Sequence, residues 1–171
     1  MKSDLRIGFS LNRSKGGPAF FMSSLKNTLD NLPNVRTTYF FDPFVTVNLF
    51  ANKPRFVQFK PYFFRVDGVA FDINMSIDSK KHTNLDLING IRFAQGVIFQ
   101  SEFSRRLSES ILHIKPINSA TILNGTNLEL FSPRGGNIRN KLRIEDDSIV
   151  FITSAKWRAH KRLKSIVKVF Q

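Results

Sequence analysis

Short apolar segments typical of β-strands alternate with segments of helical periodicity over most of this chain. Parallel strands joined through helices need crossover connections, and such connections build a sheet that is covered on both faces. We therefore predict an α/β fold with a Rossmann-like, doubly wound parallel sheet. Its ligand crevice is expected at the carboxyl ends of the strands. The predicted strands are residues 5–11, 35–41, 62–66, 96–100 and 119–123.

The helices are predicted from apolar spacing and from residues that suit helix ends. Met22, Leu25, Leu29 and Leu32 share one face of a first helix, which begins near Pro18. Thr83 or Asn84 is predicted to cap a second helix that runs to Ala94, after a loop over residues 71–82. Ser101 caps a third, in which Phe103, Leu107 and Ile111 align. Residues 42–54 fit either a short strand or a packed loop.

The C-terminal part of the chain predicts the start of a second domain. Residues 134–147 are polar and suit an interdomain linker after an N-terminal domain over residues 1–133. Residues 148–154 suit a buried strand, and Leu163, Ile166, Val167 and Phe170 have helical spacing. Since one strand and one helix cannot bury their own apolar faces, residues 148–171 are expected to be an incomplete second Rossmann-like domain.

Composition limits the possible classes of protein. The chain has 171 residues, 42% of them hydrophobic, including 18 Phe, which is enough for a sizeable core. It has no cysteine, no apolar run of the roughly 18 residues that a membrane span needs, and no signal-peptide pattern, so we expect a cytoplasmic protein. The net charge of +13 predicts either attraction to polyanions or simply a solvated basic surface.

A glycine pair follows the first predicted strand. Gly16 and Gly17 would let backbone N–H groups approach a phosphate or a sugar hydroxyl at a helix N-terminus. The alternative is a tight turn. The spacing of neither the dinucleotide fingerprint nor the P-loop is present, so NAD or ATP binding by those modes is not predicted.

Two further pairs of residues carry charge at predicted strand ends. Arg65 lies near the end of the predicted strand at residues 62–66, and Asp67 directly follows it. The two residues either bind a polar ligand or assist proton transfer, or they form a structural ion pair. Arg158 and Lys161 lie between the last predicted strand and helix, where they form either a pyrophosphate site or a solvated basic turn. The three histidines lack metal-ligand spacing, and no metal site is predicted.

Several segments together resemble the N-terminal half of a retaining GT-B glycosyltransferase of family 4, also called group 1. Leu5–Pro18 is similar to the family's opening strand and Gly-Gly-Pro loop. Tyr62–Gly68 resembles a strand ending in Arg-x-Asp-Gly, and Val97–Ser104 resembles the strand–helix junction IFQSEFS of the same branch. Ile122–Pro133 resembles the N-G-x-[DN]-x-x-x-F-x-P pattern at the domain boundary, which is the most specific of these. Ser154–Leu163 is similar to the basic Arg-x-x-Lys turn of the second domain.

The resemblance implies transfer of a sugar from a nucleotide-sugar donor to an unknown acceptor, a glycan or a lipid-linked molecule, without a catalytic metal. It implies that Gly16 and Gly17 face the donor phosphate or the acceptor, that Arg65 and Asp67 line the acceptor side, and that Arg158 and Lys161 meet the donor diphosphate. Arg162 replaces the glycine that many relatives have, and the family's E-x7-E pair is expected beyond Gln171, so the chain alone is expected to be inactive or very weak.

One other class of function stays open on composition. A non-catalytic basic module would bind nucleic acid or an anionic membrane through its excess of Lys and Arg. The resemblance makes nucleic acid the less favoured partner. It leaves peripheral contact with the inner face of an anionic membrane as an expectation.

Overall fold

The computed structural model describes residues 5–10, 17–53, 60–71, 76–136, 138–153 and 161–169. The chain forms two compact units, Met1–Asn124 and Gly125–Gln171. The predicted boundary after residue 133, the linker and the incomplete second domain remain predictions. Gly16, Arg158 and Phe170 lie outside the described residues.

Unit 1 is built on a six-stranded, all-parallel sheet. The strands are β1 (Leu5–Phe9), β2 (Val35–Tyr39), β3 (Val47–Ala51), β4 (Tyr62–Val66), β5 (Gly96–Phe99) and β6 (Ser119–Thr121). Their order across the sheet is β2-β1-β3-β4-β5-β6. This confirms the predicted Rossmann-like α/β architecture. The strand order reverses between β1 and β3, which makes that point the topological switch of the sheet.

Helices cover both faces of this sheet and create two apolar cores. The helices are α1 (Gly17–Asp30), α2 (Ile77–Phe93) and α3 (Glu102–Leu112). Met22 of α1 packs with Phe9 and Leu49 on one face. On the other face, Leu87 and Ile91 of α2 join a larger cluster of side chains. Its members from the sheet and α3 are Phe50, Tyr62, Phe64, Val66, Val97, Phe99 and Leu112. Each such buried side chain contributes about 1.5–3 kcal/mol.

The start of α2 differs from the prediction. The helix begins at Ile77, and Ser76 caps it by accepting a hydrogen bond from Ser79 N at 3.4 Å. The predicted loop is therefore wrong over residues 77–82, and the predicted caps at Thr83 or Asn84 are wrong, whereas residues 72–75 lie outside the described part of the chain. Asn84 instead serves a tertiary contact, because its side chain exchanges two hydrogen bonds with the backbone of Ala70, each 3.0 Å long.

The cap of α3 is confirmed, but its buried face is only partly as predicted. Ser101 accepts a hydrogen bond from Ser104 N at 3.0 Å. Ser104, Ser108 and Leu112 are the buried residues of this helix, whereas Phe103 is exposed. The two serines occupy little volume, so the side of α3 that carries them can lie close to the sheet, and the bulky ring points away.

Unit 2 contains α4 (Ile138–Leu142) and α5 (Leu163–Val169). The second of these confirms the predicted C-terminal helix over its described part, and Leu163 is buried. Residues 148–153 do not form the predicted strand, and Ile149 and Ile152 are exposed. A strand needs a neighbouring strand for its backbone hydrogen bonds, and the described residues of unit 2 include none with which residues 148–153 could pair.

Candidate functional site

Four neighbouring strands of the sheet present polar side chains at their carboxyl ends. Asn52 directly follows β3, Arg65 lies near the end of β4 and Asp67 directly follows it. Gln100 directly follows β5, and Asn124 comes three residues after the last residue of β6. Because the strands are parallel, these side chains share one edge of the sheet, the edge at which α/β proteins bind their ligands.

Arg65 is a buried cation at the centre of this edge. Two acceptors hold its guanidinium: Nη1 donates to Oδ1 of Asp67, and Nη2 donates to Oδ1 of Asn124 at 2.8 Å. The ring of Phe21, from α1, lies 3.6 Å from the guanidinium carbon. Burial lowers the pKa of Arg65, and the negative charge of Asp67 opposes that effect. The guanidinium stays protonated in any case, so Arg65 and Asp67 form an ion pair in which the cation is buried and the carboxylate is partly exposed.

Asn52 holds Asp67 from the opposite side. Its Nδ2 donates to Oδ2 of Asp67 at 2.6 Å, while its Oδ1 accepts from the backbone N of Asp67 at 2.9 Å. The backbone N of Asn52 donates to the carbonyl of Arg65 at 3.0 Å. Asn52 has a φ of 60°, a left-handed conformation that asparagine tolerates better than most residues. Each carboxylate oxygen of Asp67 therefore has its own fixed donor.

Gln100 and Asn124 close the network on the side of β5 and β6. The side-chain nitrogen of Gln100 donates to the backbone carbonyl of Asp67. The side-chain oxygen of Gln100 accepts from Nδ2 of Asn124 at 3.2 Å. Asn124, which also binds Arg65, is exposed. We call Asn52, Arg65, Asp67, Gln100 and Asn124 the carboxyl-edge cluster.

A second carboxylate stands on the same edge at the start of α3. Glu102 accepts a hydrogen bond from the hydroxyl of Thr121, at the end of β6, and pairs with Arg105 at 3.1 Å. The hydrogen bond from Thr121 is the main cause that lowers the pKa of Glu102, and Arg105 adds to it. Glu102 therefore joins α3 to β6 as an ionised group.

The carboxyl-edge cluster offers hydrogen-bonding groups to a polar, uncharged ligand. The Asp67 side chain keeps 17% of its surface exposed, whereas that of Arg65 keeps 4%. A carboxylate accepts hydrogen bonds, and a side-chain amide both donates and accepts them, so the two together suit a ligand rich in hydroxyl groups. Within the described ranges, no three His, Asp or Glu side chains converge as they would around a metal ion.

The other residues singled out in the sequence are only partly described. Gly17 is the first residue of α1, and a Cβ placed there would come within 4 Å of nothing in the described part of the chain. Lys161 is exposed and belongs to unit 2. Their proposed contacts, and those of Gly16 and Arg158, remain predictions. The structure brings Arg65 and Asp67 together, and the ion pair weighed in the sequence analysis is formed.

The sequence patterns predict no role for Asn52 or Gln100, and Asn124 occurs only within the domain-boundary pattern. A usable signal existed, because Asn52 and Gln100 are the first residues after their strands. For Asn52, the signal depended on recognising β3 within residues 42–54, a segment whose structure the sequence left open.

Comparison with protein-family models, with curated proteins and with solved structures gave no match.

Proposed function

We propose that unit 1 is the acceptor-binding domain of a retaining GT-B glycosyltransferase. One observation carries the proposal. The three segments Tyr62–Gly68, Val97–Ser104 and Ile122–Pro133, which resemble family 4 independently of one another, supply Arg65 with Asp67, Gln100 and Asn124 to a single hydrogen-bonded cluster. A shared site at the carboxyl edge of the sheet is what the resemblance implies for these three segments, and their joint hydrogen-bond network supports the proposal.

In this proposal, Asp67 and Asn124 bind hydroxyl groups of the acceptor. The carboxylate of Asp67 accepts their hydrogen bonds, and such charge-assisted bonds are about twice as strong as neutral ones. Arg65 is too buried to reach a ligand, with 3% of the residue exposed. It acts as a positioning residue that fixes the carboxylate of Asp67, and Asn52 does the same from the other side.

The donor side of the proposal involves unit 2. Residues 148–171 would begin a Rossmann-like donor domain, in which Arg158 and Lys161 neutralise the departing diphosphate of a nucleotide sugar. Gly16 and Gly17 would face the donor phosphate or the acceptor. Stabilising the charge that develops on the leaving diphosphate is the largest electrostatic task of such a transfer. The resemblance implies that these cations, rather than a metal ion, perform it.

The proposal can be tested by two-dimensional ¹H–¹⁵N NMR of the 19.6 kDa chain. Neutral mono- and oligosaccharides are added one at a time, and nucleoside diphosphates are added separately. We expect at least one saccharide to shift the backbone amide signals of Asn52, Asp67, Gly68, Gln100 and Asn124. We expect a nucleoside diphosphate to shift the signals of Lys161 and its neighbours instead.

The outcomes separate the proposal from the basic binding module. A short double-stranded oligonucleotide serves as the polyanion, measured at several salt concentrations. If it binds with steep salt dependence while no saccharide shifts the cluster, the chain is a polyanion-binding module. Saccharide-induced shifts confined to other parts of the chain would also contradict the proposal.

A further inference from the structure

A basic and apolar surface lies at the end of the sheet opposite to the carboxyl-edge cluster. The last turn of α2 and the loop between α3 and β6 meet there, beside the first residues of β5 and β6. Between them is a cavity of about 290 Å³. We call this the amino-edge surface and define it by Ile91, Arg92, Ala94, Ile114, Lys115 and Ile117.

The inner wall of the amino-edge surface is apolar and firmly held. Ile91 belongs to the larger apolar core, and Ala94 and Ile114 pack against it. Asn118 joins the two segments, since its Nδ2 donates to the carbonyl of Gln95 at 3.2 Å and its own carbonyl accepts from Val97 N at 3.0 Å. The surface is therefore set by the fold rather than by a freely moving loop.

The outer rim is positively charged and projects one aliphatic side chain. Residues 91–95 and 113–118 contain Arg92 and Lys115 but no Asp or Glu. Ile117 is fully exposed. Lys60, which precedes β4, adds a further exposed cation on the same edge of the sheet.

We propose that the amino-edge surface docks on an anionic phospholipid bilayer. Ile117 enters the boundary between headgroups and acyl chains, while Arg92 and Lys115 contact lipid phosphates. Charge complementarity favours this partner, because the two segments that carry these cations contain no acid, cations are attracted to an anionic leaflet, and the whole chain carries a net charge of +13. The protruding side chain favours a bilayer over a small anion, which needs no apolar contact. The inference does not depend on the proposed glycosyltransferase activity.

Vesicle co-sedimentation of the full chain tests the proposal. Vesicles of phosphatidylcholine alone are compared with vesicles that also contain phosphatidylglycerol. We expect binding only to the anionic vesicles, and weaker binding as salt is raised. The double variant Arg92→Gln/Lys115→Gln should bind about 25-fold more weakly, since each cation near an anionic surface contributes about fivefold. Ile117→Ser should lower the affinity for anionic vesicles about tenfold, because an aliphatic side chain no longer enters the lipid.

Matched controls separate this surface from the general charge of the chain. Lys81→Gln/Arg106→Gln also removes two exposed cations, but each is the fifth residue of its helix, α2 or α3, and so lies towards the other end of that helix. Phe103→Ser removes an exposed apolar side chain from the first turn of α3. Both controls should bind like the unmodified chain, apart from a small effect of net charge in the first.

Several results would overturn the proposal. These are failure to bind anionic vesicles, equal binding to neutral vesicles, or equal losses in the control and amino-edge variants. Concentration-dependent self-association that Ile117→Ser abolishes, without vesicle binding, would instead assign the surface to a second copy of the chain.

Discussion

Tyr62 is the residue whose titration reports most directly on the folded core. Its side chain is buried against α2, and its hydroxyl donates to the carbonyl of Gly90 at 3.0 Å. Burial raises the pKa of Tyr62 to about 12. The folded chain therefore keeps this proton to a higher pH than the unfolded chain, whose tyrosine pKa is about 10. The stability contributed by neutral Tyr62 is complete below about pH 10 and is lost as the pH rises towards about 12.

The chain has only two tyrosines, so ultraviolet titration of phenolate formation can resolve this group. We expect a late ionisation step near pH 12 that disappears in Tyr62→Phe and persists in Tyr39→Phe, because Tyr39 is exposed. Tyr62→Phe should also lower the free energy of unfolding at neutral pH by about 1 kcal/mol through the lost hydrogen bond. A late step that survives Tyr62→Phe would contradict the assignment.

Gly90 is a second residue whose surroundings in the core decide how a substitution changes the free energy of unfolding. A Cβ placed there would lie 2.2 Å from the ring of Phe64, which is fully buried. At an exposed helical site, alanine would stabilise the chain by about 1 kcal/mol relative to glycine. At this site we expect Gly90→Ala to lower the free energy of unfolding by about 2 kcal/mol, because the enclosed ring cannot yield without strain.

Urea denaturation measures this change, and Gly17→Ala is the control. Gly17 also lies in a helix, but a Cβ there would meet no atom of the described residues within 4 Å. We expect Gly17→Ala to leave the stability unchanged or slightly raised. If Gly90→Ala behaved in the same way, the close contact between α2 and β4 would not exist.

At the scale of elements, the first turn and a half of α2 depends on its cap. Ser76 accepts a hydrogen bond from Ser79 N, and Asp78 places negative charge in the first turn, where the helix dipole favours it. We expect Ser76→Ala to lower the free energy of unfolding by about 1 kcal/mol. Thr83→Ser, in the interior of the helix, is the control and should change it little. Equal effects in urea denaturation would mean that the helix begins nearer to residue 83.

Local sequence was sufficient to predict some of the strands and helices but not the start of α2. β4 and β5 were predictable because buried parallel strands are almost continuously apolar. The start of α2 was missed because Ser76 follows no obvious break in the sequence, whereas Thr83 and Asn84 are typical capping residues that here lie inside the helix. Asn84 binds the backbone of Ala70, a contact that only the tertiary fold creates.

At the scale of the whole molecule, the parallel sheet could be predicted and most of the carboxyl-edge cluster could not. Alternating strands and helices fix which edge of the sheet collects the strand ends, so Arg65 and Asp67 could be placed there from sequence. The partners Asn52, Gln100 and Asn124 depend on the lateral order of β3, β4, β5 and β6. That order comes from packing between distant segments, and no local periodicity encodes it.

Unit 1 should fold without unit 2. It holds the six strands of the sheet, and every described side chain of the two apolar core clusters belongs to it. We expect a chain shortened to end at Thr126, which keeps the new carboxyl terminus away from Asn124, to unfold cooperatively in urea with intact near-ultraviolet circular dichroism. A chain that ends at Gln95 is the control. It lacks β5, α3 and β6, so Val97, Phe99 and Leu112 are missing from the larger core, and we expect it not to fold. A non-cooperative transition of the chain ending at Thr126 would mean that the sheet and its two cores are insufficient, and that residues of unit 2 are required for stability.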